Sequence, residues 1–276
     1  MAEESSSLTA IESLLGDRYT REARLAPAFL CFFPALLLLV AWFADLQQVI
    51  PGLLTLLCIF GVVRWVSHIA RGIGDRKEID LFHQWGGKPT TTMLRSDPLA
   101  ASPEDPIPQF LLREAQRTAV DKWYESQTGL HLPTQEDELV VKGDPGALDE
   151  LYEPVVAWLR ENSRGNKLVF EENISYGFQR NFFALRQFAI ACAIGSLIVH
   201  GVAVLALLGL RGHGLTHPSW AALIAATIAI VAYLVGVDRY VREKNVKIQG
   251  FAYARQLIYS AIYTNPTNRK NKNVVV

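Results

Sequence analysis

Apolar residues are gathered along the chain into four long blocks, 25–44, 49–69, 188–210 and 219–237. Each comes close to the roughly 20 residues a helix needs to cross the hydrocarbon core of a bilayer, so the pattern predicts four membrane spans. Short links join the blocks in pairs. Asp45-Leu46-Gln47-Gln48 carries no Lys or Arg, and in the other link Arg211 is the only Lys or Arg. Cations stand at the opposite ends: Arg18, Arg21 and Arg24 before the first block, Arg71, Arg76 and Lys77 after the second, Arg239, Arg242, Lys244 and Lys247 after the fourth. By the positive-inside rule both termini and the central segment face the cytoplasm.

The expected fold is therefore mainly α: four transmembrane helices as two hairpins, a small, mostly helical cytoplasmic domain between them, and a long cytoplasmic extension of the fourth helix. The expected boundaries are a cytoplasmic N-terminal segment at 1–24, hairpin 1 at 25–70, the cytoplasmic domain at 71–183, hairpin 2 at 184–237, and an amphipathic helix with a basic tail at 238–276. The first block is longer than a signal-peptide core and no small-residue cleavage pattern follows it, so it is expected to be retained.

Helical spacing also runs through the central segment. Phe110, Leu111, Ala115, Ala119, Trp123 and Tyr124 make one apolar stripe over 109–127, and Gly129 stops it. Asp144 and Pro145 open a second helix as N-cap and first residue, with Leu148, Leu151, Tyr152, Val155, Val156 and Leu159 on its packing face. The runs 139–141 and 168–170 read as two short strands able to pair. Beyond Val241 the fourth helix is expected to continue to Asn265-Pro266. Its apolar positions Ile248, Phe251, Ile258 and Ile262 suit either an oligomeric seam or packing on the central domain.

Charge changes this picture by its distribution. The 27 basic and 27 acidic residues cancel, yet 71–180 holds 13 basic against 19 acidic residues and 239–276 holds 8 against 1. A basic tail beside an acidic domain can bind that domain or anionic lipid. All three cysteines, Cys31, Cys58 and Cys192, lie in apolar blocks. No disulfide framework or thiolate metal site is implied, and no cofactor is expected.

Candidate chemistry is sparse. Trp85-Gly86-Gly87-Lys88-Pro89-Thr90-Thr91 is a turn whose amides could cradle a phosphate, with Lys88, Thr90, Thr91 and Arg95 as ligand-binding candidates. It lacks the Walker A spacing, and a turn packed under Trp85 is the plain alternative. At membrane depth, ionisable and polar groups suggest function by default. His200 lies midway along the third block, bonded to a neighbouring helix or lining an aqueous path. Thr227, Tyr233 and Tyr240 on the fourth would form polar rings around the axis of a symmetric oligomer, or serve as interface anchors. Arg64, His68 and Arg180 are candidates for coupling the domain to the spans. No nucleophile with a base and no paired metal-ligand spacing argues for an enzyme; His213 and His217 lie four apart, but beside Gly214 and Pro218 where a helix is not expected.

Two hairpins around a cytoplasmic domain, Trp85-Gly86-Gly87-Lys88-Pro89-Thr90-Thr91, and Asn173-Ile174-Ser175-Tyr176-Gly177-Phe178 together resemble bacterial phage-defence membrane proteins. The resemblance is to the channel-forming effectors of the Hailong system. It implies an inner-membrane, homo-oligomeric channel, with four copies as the working number, and an aromatic pore in which Tyr233 would take part. It also implies a nucleotide or oligonucleotide ligand made by a partner nucleotidyltransferase. The alternative is a non-conducting membrane anchor that recruits a cytoplasmic partner.

Overall fold

A computed structural model of the chain describes residues 17–42, 49–96, 112–141, 144–209 and 219–264, except for the side chains of 49–60, 70 and 264. A π-helical turn, Thr20–Leu25, leads into α1 (Ala26–Trp42). There follow α2 (Val49–Gln84), α3 (Pro89–Leu94), α4 (Glu114–Thr128), α5 (Gln135–Val140) and α6 (Pro145–Asn162), then α7 (Lys167–Ala184), α8 (Arg186–Gly209), α9 (Trp220–Tyr240) and α10 (Glu243–Thr264). Two compact units result, one of residues 1–75 and 177–243 and the other of 76–176 and 244–276. The division falls inside α2 and inside α7.

In the first unit α1 packs on α8 and α9, and these two pack on each other. Among the described residues Thr20–Trp42, Arg186–Gly209 and Trp220–Tyr240 are long and apolar enough to cross a membrane. The remaining apolar block, 49–69, forms the first part of the 36-residue α2, whose side chains over 49–60 lie outside the described residues. Small side chains fill much of the interior: Ala28, Cys31, Ala189, Ala193 and Ala226 are buried. Large ones point outward, with Ile198, Val202, Leu205 and Ile228 each more than 60% exposed. Close backbone approach through small residues is how helices associate where outward apolar surface costs nothing.

The second unit has the opposite polarity. Its core gathers Leu94 of α3, Val120 and Tyr124 of α4, and Tyr152, Val155 and Leu159 of α6 around Phe251, Ala254, Leu257, Ile258 and Ala261 of α10. The last helix is thus a central core element, which accounts for the apolar positions that also suited an oligomeric seam. Gly250 lets it approach closely, since a Cβ there would meet Tyr176 Cε2 at 3.2 Å and Pro89 Cγ at 3.3 Å.

Three local expectations are corrected. No strand occurs among the described residues. The expected strand at 139–141 falls at the end of α5, at whose start Thr134 and Asp137 cap reciprocally, with Thr134 N donating to Asp137 Oδ2 at 2.8 Å and Asp137 N to Thr134 Oγ1 at 3.3 Å. That capping box carries Leu139 and Val140 into a helical turn. Leu168 to Phe170 likewise begins α7, where Asn166 Oδ1 accepts from Leu168 N at 3.0 Å. The stripe expected over 109–127 begins as helix at Glu114, where Gln116 Oε1 accepts from Arg113 N at 2.9 Å, while Phe110 and Leu111 lie outside the described residues. Gly129 ends that helix with φ 73°, as its position required.

The last apolar helix, α9, does not run unbroken into α10. Val241 leaves the helical region at φ −90°, ψ 75°, and α10 starts afresh at Glu243. Val241 is itself buried in the first unit with Val237, Phe182 and Leu185. Asp238 anchors the break: its carbonyl accepts from Arg242 Nε at 2.9 Å and its carboxylate from Arg186 at 2.8 Å.

Candidate functional site

The polar groups at the apolar helices are organised by two prolines. Proline has no N–H, so a proline inside a helix leaves the carbonyl four residues earlier without its helical donor. Pro34 does this to Leu30, and Pro27 would do the same to Ala23. Both carbonyls are served from elsewhere: Tyr233 Oη of α9 donates to Leu30 O at 2.8 Å, and Asn181 Nδ2 of α7 donates to Ala23 O at 2.7 Å. In a hydrocarbon surround an unpaired carbonyl costs several kcal/mol, and bonding from neighbouring helices is what makes such prolines tolerable. Tyr233 thus has a partner within the chain, and its ring also packs on Phe33, centroids 6.1 Å apart.

His200 is buried, and its Nδ1 accepts from Trp42 Nε1 at 3.0 Å, the rings meeting edge to face. An accepting Nδ1 places the ring proton on Nε2. Thr227 is half-buried and returns its hydroxyl to Leu223 O of its own helix at 3.0 Å. Tyr240 is 72% exposed at the end of α9. The three span candidates, His200, Thr227 and Tyr233, therefore have partners within one chain, and they are not drawn to one point.

Of the coupling candidates, Arg180 is mostly buried and meets Asp75 of α2 at 3.5 Å. Around it three segments pack with little to spare. A Cβ on Gly74 would come within 2.9 Å of Asn181 Oδ1, and one on Gly177 within 2.7 Å of Tyr19 Oη. Arg64 and His68 are exposed on the same helix as Asp75. Asn181, Gly74 and Pro27 carry the contact although no charge marks them. Their signal in the sequence is a proline inside an apolar run together with a lone buried amide.

The Gly-Gly turn of the second unit has the shape expected of an anion cradle, with φ 80° at Gly86 and 125° at Gly87. It already holds an anion of the protein. Lys88 N donates to Asp149 Oδ1 at 2.8 Å and to Oδ2 at 3.1 Å, and Lys88 Nζ reaches Glu153 Oε2 at 2.8 Å. Burial pushes the Asp149 carboxyl up, against the opposing pull of Thr91, the Lys88 amide and the Lys88 charge. Thr90 and Thr91 are buried, and Gly87 leaves just enough room for the carboxylate, since a Cβ would sit 3.2 Å from Asp149 Oδ1. The acids of α6 that complete this turn lie some 60 residues away, beyond local sequence reading.

Arg95 belongs to a separate buried network. Its Nε lies 4.0 Å from Glu138 Oε2, while Glu138 Oε1 accepts from Tyr152 Oη at 2.6 Å and Ser96 N at 2.8 Å. Arg117 closes the cluster by donating to the carbonyls of Leu94 and Pro133. The four ligand candidates thus divide between two places. Among the described residues no three His, Cys, Asp or Glu come together to hold a metal ion. His213 and His217 lie outside those residues. Comparison of the chain with protein-family models, with curated proteins and with solved structures gives no match.

Proposed function

We propose that the chain is a multi-span membrane effector: its four apolar blocks cross the inner membrane as two hairpins, with the helical unit and both termini on the cytoplasmic side. Several copies form a gated conducting path under control of that unit. A nucleotide-type signal or a partner protein supplies the control, in keeping with the resemblance to phage-defence effectors. The observation that carries this reading is the Tyr233 bond to Leu30 O across the Pro34 break. It is a polar bond between two helices, at a place where α1 is already missing a backbone bond and can bend at low cost. In the resting form the phenol is turned into its own chain. Opening exchanges that bond and presents Tyr233 to the path between copies.

The test is ion flux from liposomes holding the purified full chain. Tyr233→Phe removes the resting bond, so unstimulated flux is expected to rise above that of the natural protein. Absence of flux from every variant and under every added nucleotide, or a strictly monomeric chain in detergent, sinks the channel reading.

A specific observation favours the second reading, a non-conducting anchor. His200, Thr227 and Tyr233 all have partners inside one chain, and the Gly86-Gly87 turn is filled by Asp149. On that reading the exposed Leu139 and Val140 at the end of α5 are surface for a cytoplasmic partner.

A further inference from the structure

A groove of about 560 Å³ lies between α1 and α8, with Leu38 and Trp42 on one side and Gly195 and Ser196 on the other. Its volume falls in the range of sites that hold one small molecule. Two more of its lining residues, Leu39 and Val199, are exposed, so it opens sideways to the medium around the helices and not into the protein. No charged side chain lines it, which leaves a charged occupant without a counter-ion.

Ser196 is the group that selects an occupant. A hydroxyl in an apolar helix is ordinarily satisfied by a carbonyl of the preceding turn, as Thr227 is by Leu223 O at 3.0 Å. Ser196 is more than nine-tenths buried and lines the groove, yet among the described residues its hydroxyl has no hydrogen-bond partner. The indole N–H of Trp42, the other polar side-chain group of the lining, is already given to His200 Nδ1 at 3.0 Å. An oxygen brought to Ser196 therefore pairs a hydroxyl that a bare hydrocarbon chain leaves unpaired.

Depth narrows the source of that oxygen. Ser196 stands ten residues into α8, which runs Arg186–Gly209, so it lies about 15 Å along the axis from the first residue and about 20 Å from the last at a rise of 1.5 Å. With a hydrocarbon core of about 30 Å, that is close to the bilayer midplane, out of reach of the headgroups and ester carbonyls of ordinary lipids. We propose that the groove binds a neutral, membrane-dissolved ring ketone, the chemistry of a quinone headgroup, with one ring carbonyl accepting from Ser196 Oγ and the ring against Trp42. The site rests on the reading of α1 and α8 as membrane helices and is independent of conduction.

The test titrates the full chain in detergent with duroquinone, whose ring positions are all blocked against thiols, and follows quenching of tryptophan fluorescence. Saturable binding of one molecule per chain is expected. Durene, the same methylated ring without oxygens, competes about fivefold more weakly, the scale of one hydrogen bond. Ser196→Ala weakens duroquinone by the same factor and leaves durene unchanged. Gly195→Leu abolishes binding of both, because a Cβ there meets no atom within 4 Å and the side chain grows into the groove without displacing its neighbours. Ile228→Ala, on the outward face of α9, changes nothing. Quenching that never saturates overturns the site, as do equal affinities for the two rings or binding indifferent to both Ser196→Ala and Gly195→Leu. Val199→Cys chains that cross-link copy to copy under mild oxidation while binding no duroquinone overturn it in favour of a second chain as the occupant. A chain that stays dispersed in buffer without detergent overturns the membrane reading itself, whereas loss of binding alone leaves that reading intact.

Discussion

The two units differ in what they expose. The second keeps Phe251, Tyr152, Leu257 and Ile258 inside and, apart from the Glu138 network, most of its charges out, as water requires. The first buries Leu223, Ile230 and Val237 together with alanines, a cysteine and a few polar side chains, and shows Ile198, Leu205, Ile228 and Val235 to its surroundings. Their polar groups differ in the same sense. In the second unit polar side chains serve turns and caps, as Asp149 does at Lys88 and Thr134 at Asp137. In the first they repair the helix itself, because Asn181 and Tyr233 both serve carbonyls that lie four residues before a proline. The difference teaches that a polar residue in an apolar helix need not be functional in the narrow sense; it can be the partner of a proline on another helix.

This contrast can be broken most forcefully in the core of the second unit. Phe251→Ala is expected to remove about 3–5 kcal/mol of its stability, measured by chemical denaturation, whereas Ile228→Ala on the outward face of the first unit changes stability by less than about 0.5 kcal/mol. Equal losses would mean that Ile228 is buried as Phe251 is. Asn181→Leu comes next, at about 1–3 kcal/mol, because it strands the Ala23 carbonyl. Gly74→Ala should mimic part of that loss by pushing on the same amide, and thermal unfolding in detergent reads both.

Tyr233→Phe is smaller, about 0.6–1.7 kcal/mol, the range measured for side-chain bonds between membrane helices. It carries a sharper control. Pro34→Ala restores an N–H to Leu30 O, so the cost of Tyr233→Phe should vanish in the Pro34→Ala background; a cost that persists shows that the hydroxyl matters for another reason. The smallest effect is electrostatic. Burial raises the Asp149 carboxyl in the folded state above its ordinary value of 3.8, so the native unit binds the proton more tightly than the unfolded chain does. Stability is therefore gained as pH falls through the raised value and lost as pH rises through it. Compared with the natural protein, Asp149→Asn should flatten that rise between neutral pH and about 4 in pH-dependent unfolding of the full chain.

Much of the helical layout was legible because period and length report directly on solvent. The blocks at 25–44, 188–210 and 219–237 fall on apolar helices, and Asp144, Pro145 and Gly129 bound helices where local rules put them. The runs 139–141 and 168–170 were misread as strands because β-branched and aromatic residues in threes carry no period. Caps at Thr134 and Asn166 decided the matter. The break at Val241 was invisible for a different reason, since no Gly or Pro marks it; it depends on Asp238 meeting Arg186 from another helix. Site residues fared as their reach allows. Lys88 and the two glycines announced an anion cradle, but its occupant sits on α6. Tyr233 stood out as polar, while its partner was a backbone carbonyl defined by a proline some 200 positions earlier.

The place of α10 sets a timetable for biosynthesis. Phe251, Leu257 and Ile258 hold together a unit whose other residues, 76–176, leave the ribosome before the whole of α8 and α9. At about 5–20 residues per second that interval lasts seconds. During it α4 and α6 carry an apolar face that α10 has yet to cover. Maturation of the second unit is thus tied to completion of both later apolar helices, and a chain stalled within them would expose a sticky, half-built domain to chaperones and proteases.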